Sequence, residues 1–364
     1  MGFKCGIVGL PNVGKSTLFN ALTSTVMAES ANYPFCTIEP NVGKIAVPDE
    51  RLCELAKIAE SKSIIPTQLE FVDIAGIVKG ASSGEGLGNK FLANIRETDA
   101  ILHVVRCFDN DDIAHVSGAV NPMSDIETIE TELLLADLES IENRIPSLEK
   151  KVKVGDKQSK EILEVLFDVY EILKCGVPAI KVKVGEDKRH ILRQLQLITT
   201  KPMLYVCNVP EHDVVLGNDY TKKVAERVSG SPVVVISAAI EAEISLLNSE
   251  AEKLEFLNDL GLSLSGLKQV VKHGYDILEL ITYFTIGPKE ARAWTIPKGM
   301  KAVEAAGVIH TDFTRGFICA ETISWKDYID CDGEQKAKQA GKLRLEGKDY
   351  IVQDGDVMHF RFNV

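Results

Sequence analysis

The 364-residue chain is predicted to be an α/β protein: a mostly parallel sheet flanked by helices, interrupted by a helical coiled-coil arm and followed by a smaller α+β module. Three observations carry that expectation. Short apolar runs at residues 3–8, 69–72, 100–105, 203–207 and 233–236 alternate with helical patterns. Between residues 125 and 200 a heptad-like spacing takes over. From residue 281 onward, short strand-like runs are divided by Gly and Pro turns.

The apolar runs read as strands buried on both faces. Strands of that kind joined through helices form βαβ units, which place a ligand at the strand C-terminal ends. The first run, Cys5-Gly-Ile-Val-Gly9, leads directly into Gly9-Leu-Pro-Asn-Val-Gly14-Lys15-Ser16, a complete GxxxxGK[ST] loop, and then into a helical pattern to about Leu22. A loop whose backbone N–H groups all converge needs glycines, because they adopt positive φ where other residues clash. Lys15 is expected to reach the β- and γ-phosphate oxygens as a point charge. The Ser16 hydroxyl is expected to ligate the Mg²⁺ that bridges them, and the helix that follows offers its N-terminal dipole. The pattern therefore predicts a nucleoside triphosphate site built from Asn12, Val13, Gly14, Lys15, Ser16 and Thr17.

In the inserted stretch, Leu134, Leu138, Ile141, Ile145, Leu148 and Val152 are spaced alternately four and three apart, and Ile162, Leu166, Val169 and Leu173 repeat the rule. This predicts two helices packed as a short coiled coil, with Gly155-Asp156 as the turn. Pro146 is expected to kink or restart the first of them. Two readings stay open, a helical arm that packs on itself and a lever or docking arm for a partner. Glu241 to Leu280 reads as helical and polar. The last module is expected to hold strands at residues 283–286, 291–296, 316–320, 349–352 and 358–362, with a helix around 300–306.

A formal charge of −12 and a pI near 5.2 argue against a protein that coats nucleic acid electrostatically, and no DNA partner is expected. From Ile281 to Val364, 12 Lys and Arg face 12 Asp and Glu, so the acidic excess lies before that point. No apolar run approaches the roughly 18 residues of a membrane span, and Met1-Gly-Phe-Lys-Cys leads into a strand rather than a signal peptide. A cytoplasmic location with no membrane partner is expected. The eight cysteines are scattered without a CxxC pair and read as reduced thiols.

A nucleotide switch needs further elements, and they follow in order. Asp73-Ile-Ala-Gly76 closes the second apolar run: Asp73 is suited to hold a water of the Mg²⁺ shell, and the Gly76 N–H to bond the γ-phosphate. Thr37, in Tyr33-Pro-Phe-Cys-Thr-Ile-Glu-Pro-Asn41, is placed to ligate Mg²⁺ when triphosphate is bound. Gly80, Gly84, Gly86 and Gly88 suit either a γ-phosphate-ordered switch or a plain flexible loop.

These motifs, with Gly84-Glu-Gly-Leu-Gly88 and Ala305-Ala-Gly-Val-Ile-His-Thr-Asp-Phe313, resemble the Obg-type P-loop NTPases, and within them the YchF (Obg-like ATPase) subfamily along essentially the full length. The resemblance implies a P-loop NTPase G domain at residues 1–124 and 201–280, a coiled-coil insertion at 125–200, and a C-terminal TGS domain of ubiquitin-like β-grasp fold at 281–364. It also implies ATP hydrolysis in preference to GTP. A role in translation or stress regulation is implied too, with the ribosome (rRNA or a ribosomal protein) as partner through the TGS domain and the arm.

Base selectivity has its own argument. GTPases read guanine with NKxD, whereas the fourth run here ends in Asn208-Val209-Pro210-Glu211. The covering Lys stem is gone, and Glu is one methylene too long for the same bidentate contact. Asn208 is able to pair with adenine N6 and N7, as Asn reads adenine in DNA, with Val209 close by. Ser237-Ala238-Ala239 stands where the family has Ser-Ala-Lys, which weakens base packing. Ile77 replaces the water-positioning glutamine of Ras-like enzymes, so intrinsic hydrolysis should be slow. His115 is the nearest candidate to position water, giving a catalytic set of Lys15, Thr37, Gly76 and His115. Asn12 is either a turn residue or part of a K⁺ site. Lys336, Lys338, Lys342 and Arg344 read as a short basic helix, either a solvated face or an RNA contact. A GTPase or dual-specificity NTPase, and a scaffold ordered by nucleotide with negligible turnover, are the alternatives.

Overall fold

The computed structural model describes residues 3–30, 42–74, 87–110, 119–247 and 249–363. Contacts among the described residues divide the chain into two compact units, one drawn from Phe3–Gly43 and Glu70–Val270, the other from Lys44–Leu69 and residues 271–363.

In chain order the first strands are β1 (Phe3–Val8), β2 (Val42–Ala46), β3 (Ile64–Ile65), β4 (Gln68–Asp73), β5 (Ala100–Arg106), β6 (Met203–Asn208) and β7 (Val233–Ile236). All but β3 form one six-stranded sheet in the order β2-β4-β1-β5-β6-β7. Its β1, β5, β6 and β7 are parallel neighbours. Every residue of β5 is buried, as expected of a central strand covered on both faces. The five apolar runs thus become strands, and β2, which is short and half-buried, is the one the sequence pattern did not signal. Because parallel strands all end on one side, the turns after β1, β5, β6 and β7 share the C-terminal edge, and the phosphate-loop helix α1 (Lys15–Ser30) starts there.

The arm is a helical hairpin of Pro122–Lys153 and Lys157–Lys174. Asn121 and Asp156 cap the two N-termini through Ser124 N–H and Gln158 N–H. Gly155 takes the turn at φ 92°. The first helix does not restart at Pro146, because Ile141, Ile145 and Leu148 pack with Val165, Leu166 and Val169 of its partner and outweigh one lost backbone bond. At the root of the arm Asp137 is fully buried and accepts from Ile198 N (2.9 Å), Thr199 N (2.7 Å) and Thr199 Oγ1 (2.7 Å).

The second unit is built on β8 (Leu280–Ile286), β9 (Ala291–Pro297), β10 (Phe317–Ser324), β11 (Arg344–Glu346) and β12 (Asp356–Phe362). The order β11-β10-β12-β8-β9, with β12 parallel to β8, is that of a β-grasp sheet. One face, carrying Tyr283, Ile296, Met358 and Phe360, packs on the helix Ala302–Ile309. The other, carrying Phe284, Ala293, Ile323 and Val357, packs on Leu52, Leu55 and Ala56 of the helix Glu50–Ile58. β3 extends the sheet beside β9. Residues 44–69 and 271–280 therefore group with this unit rather than with the stretches 1–124 and 201–280 expected from the sequence, chiefly because the helix Glu50–Ile58 and β3 lie on the β-grasp sheet, although β2 and β4 keep their places in the first sheet. Two further expectations change. Residues 349–352 contribute only a bridge between Ile351 and Lys301, not a strand. The basic cluster is also not one helix: Lys336 and Lys338 lie on Glu334–Gln339, while Arg344 lies on β11. Of these, Lys336 pairs with Asp332 (2.6 Å), Lys342 with Asp327 (3.1 Å) and Arg344 with Glu346 (3.2 Å).

Candidate functional site

After β1 the chain turns with Gly9 at φ 155°, Asn12 at 62° and Gly14 at 100°. A Cβ on Gly14 would collide with the Asn208 amide, so glycine is required there for contact as well as conformation. Gly14 O accepts from Leu18 N (2.9 Å), which starts α1 and leaves the earlier N–H groups of the loop for an anion. Lys15 is buried, and its Nζ donates to Leu10 O at 2.6 Å, which holds the ammonium inside the loop. Burial pushes this lysine down to about 8, against the pull of Asp73, and the Asp73 carboxyl is itself raised by burial and opposed by Lys15. A phosphate arriving between them would restore full charge on Lys15. Ser16 is exposed in the first turn of α1 and Asp73 is half-buried at the end of β4. These two hard oxygen donors beside a phosphate cradle suit Mg²⁺, a cation that keeps most of its waters. Ser16 and Asp73 are the described residues that could hold such an ion.

Beside the loop lies a cleft of about 710 Å³ lined by Asn12, Gly14 and Thr17, by Phe108 to Asn110 after β5, by Asn208 to His212 after β6, and by Ser237 to Ala239 after β7. Asn208 joins the loop to the cleft. It is 5% exposed, its Nδ2 donates to Val13 O (3.0 Å), and its Oδ1 accepts from Ala238 N (3.0 Å). The amide expected to read adenine is thus first a strut between the phosphate loop and the β7 loop, with one N–H and one lone pair left over. Val209 is buried, Glu211 is exposed on a 3₁₀ turn, and Ser237 is buried ahead of the helix Ala238–Leu246.

Residues 4–144 match the family MMR_HSR1, described as "50S ribosome-binding GTPase", and residues 280–363 match YchF-GTPase_C, described as "Protein of unknown function (DUF933)". Curated relatives each named "Ribosome-binding ATPase YchF" cover 100% of this chain and of themselves, at 57% identity in Haemophilus ducreyi, 56% in Escherichia coli O157:H7 and 55% in Bacillus subtilis. The solved Schizosaccharomyces pombe YchF GTPase is 40% identical, with 99% of this chain and 98% of that one covered at a TM-score of 0.88. The chain belongs to the YchF family. Its architecture is that of a YchF protein, a P-loop G domain on a mostly parallel sheet with a C-terminal domain.

In this YchF chain the structure brings Asn12, Val13, Gly14, Lys15, Ser16, Thr17, Asp73, Asn208, Val209, Glu211 and Ser237 to the one strand edge. Thr37, Gly76 and His115, with Ile77 and the glycines 80, 84 and 86, lie outside the described residues. The sequence reading missed Phe108, Asp109 and Asn110. Their signal was position, since they directly follow the most buried strand on the side where ligands bind. It also missed His103, buried on β5 with Nδ1 lacking a partner among the described residues and held neutral by burial, its imidazole pushed down to about 3. Its ring lies 5.5 Å from that of Tyr205, whose hydroxyl donates to Glu130 of the arm (2.6 Å). No helix among the described residues is long and apolar enough to cross a membrane.

Proposed function

We propose that this chain is a Mg²⁺-dependent nucleotide switch that hydrolyses ATP in preference to GTP and works on the ribosome in the cytoplasm. Support for hydrolysis comes from the built phosphate cradle, Lys15 with Ser16 and Asp73, and from the ATPase name carried by full-length relatives. Support for adenine comes from one observation. At the end of β6 the only carboxylate of the motif, Glu211, is exposed on a turn, while Val209 and Ala238 are buried at the cleft. A guanine N1–H and 2-amino group would find no fixed carboxylate at the end of β6, whereas adenine presents neither of those donors.

In this reading the loop N–H groups and Lys15 orient the β- and γ-phosphates and Ser16 holds the metal. Thr37 and Gly76 sense the γ-phosphate, and His115 orients water. Mg²⁺ supplies charge neutralisation between the phosphates when bound. K⁺ beside Asn12 would add a second positive charge to the same oxygens. The C-terminal β-grasp (TGS) unit and the arm are the ribosome-facing parts; the close pairing of Lys336, Lys342 and Arg344 with carboxylates favours the arm as the larger contributor. Equilibrium titration with ATP and GTP in Mg²⁺ and K⁺ tests the reading. ATP is expected to bind at least about ten-fold tighter, the discrimination of one unpaired buried polar group. Equal or tighter GTP binding would return the protein to the GTPases, and binding without phosphate release would make it a scaffold.

A further inference from the structure

We propose that Arg106 is the positioning residue of the base pocket, holding Phe108 so that one ring face is backed by a guanidinium and the ring is offered to a purine; this rests on the nucleotide reading above. Arg106 is the last residue of β5 and the register partner of Asn208 on β6. It is 1% exposed and among the largest fully buried side chains of the described residues. Its Nε donates to Phe108 O at 3.1 Å and its Nη2 to Asn110 O at 3.0 Å, while the guanidinium carbon lies 4.7 Å from the Phe108 ring centroid. Two outer tethers complete the wall: Asn218 Nδ2 donates to Cys107 O (2.8 Å), and the Tyr220 hydroxyl to Asp109 (3.0 Å).

The sheet stops supporting this stretch at Cys107, whose N–H still donates to Asn208 O. Beyond it the carbonyls of Phe108 and Asn110 are satisfied from the inside by one planar fork. That task suits arginine and not lysine, because a compact ammonium offers no planar fork to bond both carbonyls while its charge sits over the ring. Phe108 is half-buried and lines the cleft, so with its inner face on the guanidinium its remaining surface is available for stacking. Stacking is blind to the purine edge. Arg106 should therefore set how tightly any purine nucleotide is held, while the discrimination of adenine from guanine lies elsewhere in the pocket.

The test is titration of full-length wild type, Arg106→Gln, Arg106→Lys and Phe108→Ala with ADP, GDP and inorganic pyrophosphate. Both Arg106 variants are expected to lose about ten-fold in ADP and GDP affinity alike, with the ADP/GDP ratio and pyrophosphate affinity unchanged, the magnitude of one lost base stack. Combined with Phe108→Ala, Arg106→Gln should add less than two-fold, roughly the limit of coupling for residues that act as one. A matching loss of pyrophosphate binding, or full additivity, would make Arg106 an ordinary core residue and overturn the proposal. Should the Arg106 variants not fold, Phe108→Ala decides alone, since undiminished ADP binding there overturns it. If wild type binds pyrophosphate but no purine nucleotide more tightly, the nucleotide reading itself has failed.

Discussion

The two ends of the cleft are built in opposite ways. At the phosphate end the work is done by one contiguous stretch, Gly9 to Ser16, mostly through backbone: three positive-φ residues, a row of N–H groups and one buried ammonium. At the base end it is done by side chains from the ends of three strands, Phe108 after β5, Val209 after β6 and Ala238 after β7, none near another in sequence. A ligand part that is the same in every nucleotide is met by a fixed local motif, and a part that varies is met by parts that vary independently. The largest expected effect follows from that contrast. Lys15→Ala should lower single-turnover phosphate release by roughly 100-fold or more, as for loss of one preorganised donor to a transition-state oxyanion. Glu211→Ala at the other end should stay within a few-fold of wild type. If the two variants were equally impaired, the division of labour between the ends would be wrong.

Asn208 is where the two constructions meet, and it sharpens the comparison. Asn208→Ala leaves Val13 O without its side-chain donor and Ala238 N–H without its acceptor, in a site that water hardly reaches. A stability loss of about 1–3 kcal/mol in denaturant unfolding is expected, the usual cost of buried groups left unsatisfied. Affinity should fall for ADP and for inorganic pyrophosphate together, because the strut holds both loops. A variant that lost adenine preference while binding pyrophosphate as wild type does would show that Asn208 reads the base edge and does not brace the loops.

The same contrast explains what was legible in the sequence. Phosphate-loop residues 12–17 could be named without a fold because glycine spacing and a strand-then-helix context are local. The strands β1, β4, β5, β6 and β7 could be found because burial, complete in β5 and partial in β4 and β7, writes short apolar runs. Phe108 and Arg106 were invisible because nothing in Arg106-Cys-Phe108 marks a cleft wall until β5 is known to be central and parallel. The helix Glu50–Ile58 was hidden for a related reason: its partners Phe284, Ile323 and Val357 lie more than 200 residues away, and only the folded β-grasp sheet reveals an apolar face that needs a cover. The family resemblance supplied the architecture, but it gave no sign that residues 44–69 would cross to the second unit.

The smallest effect concerns what lies beneath the phosphate end. His103 is buried against Tyr205 and kept neutral in the fold, first by desolvation and then by the nearby Lys15 charge, so its pKa falls from 6.5 to about 3. A histidine depressed in the native state takes up its proton only on unfolding. Its contribution to stability is therefore fully present above the unfolded value and is lost as pH falls below it, down to the folded value. Between pH 6.5 and 5.5 the loss should be about 1 kcal/mol. The carboxyls raised by burial, Asp73, Asp137 and Glu241, act with the opposite sign, so the wild-type curve alone mixes the two. The difference between wild type and His103→Asn isolates the imidazole. Urea unfolding at several pH values should give a gap that widens toward acid, with the variant gaining relative to wild type, and saturating Mg²⁺–ADP should leave that gap unchanged, because the group sits under the loop and not in the cleft. A gap that stayed flat with pH would mean that His103 protonates in place, with the strand beneath the phosphate loop far less sealed than the fully buried β5 implies.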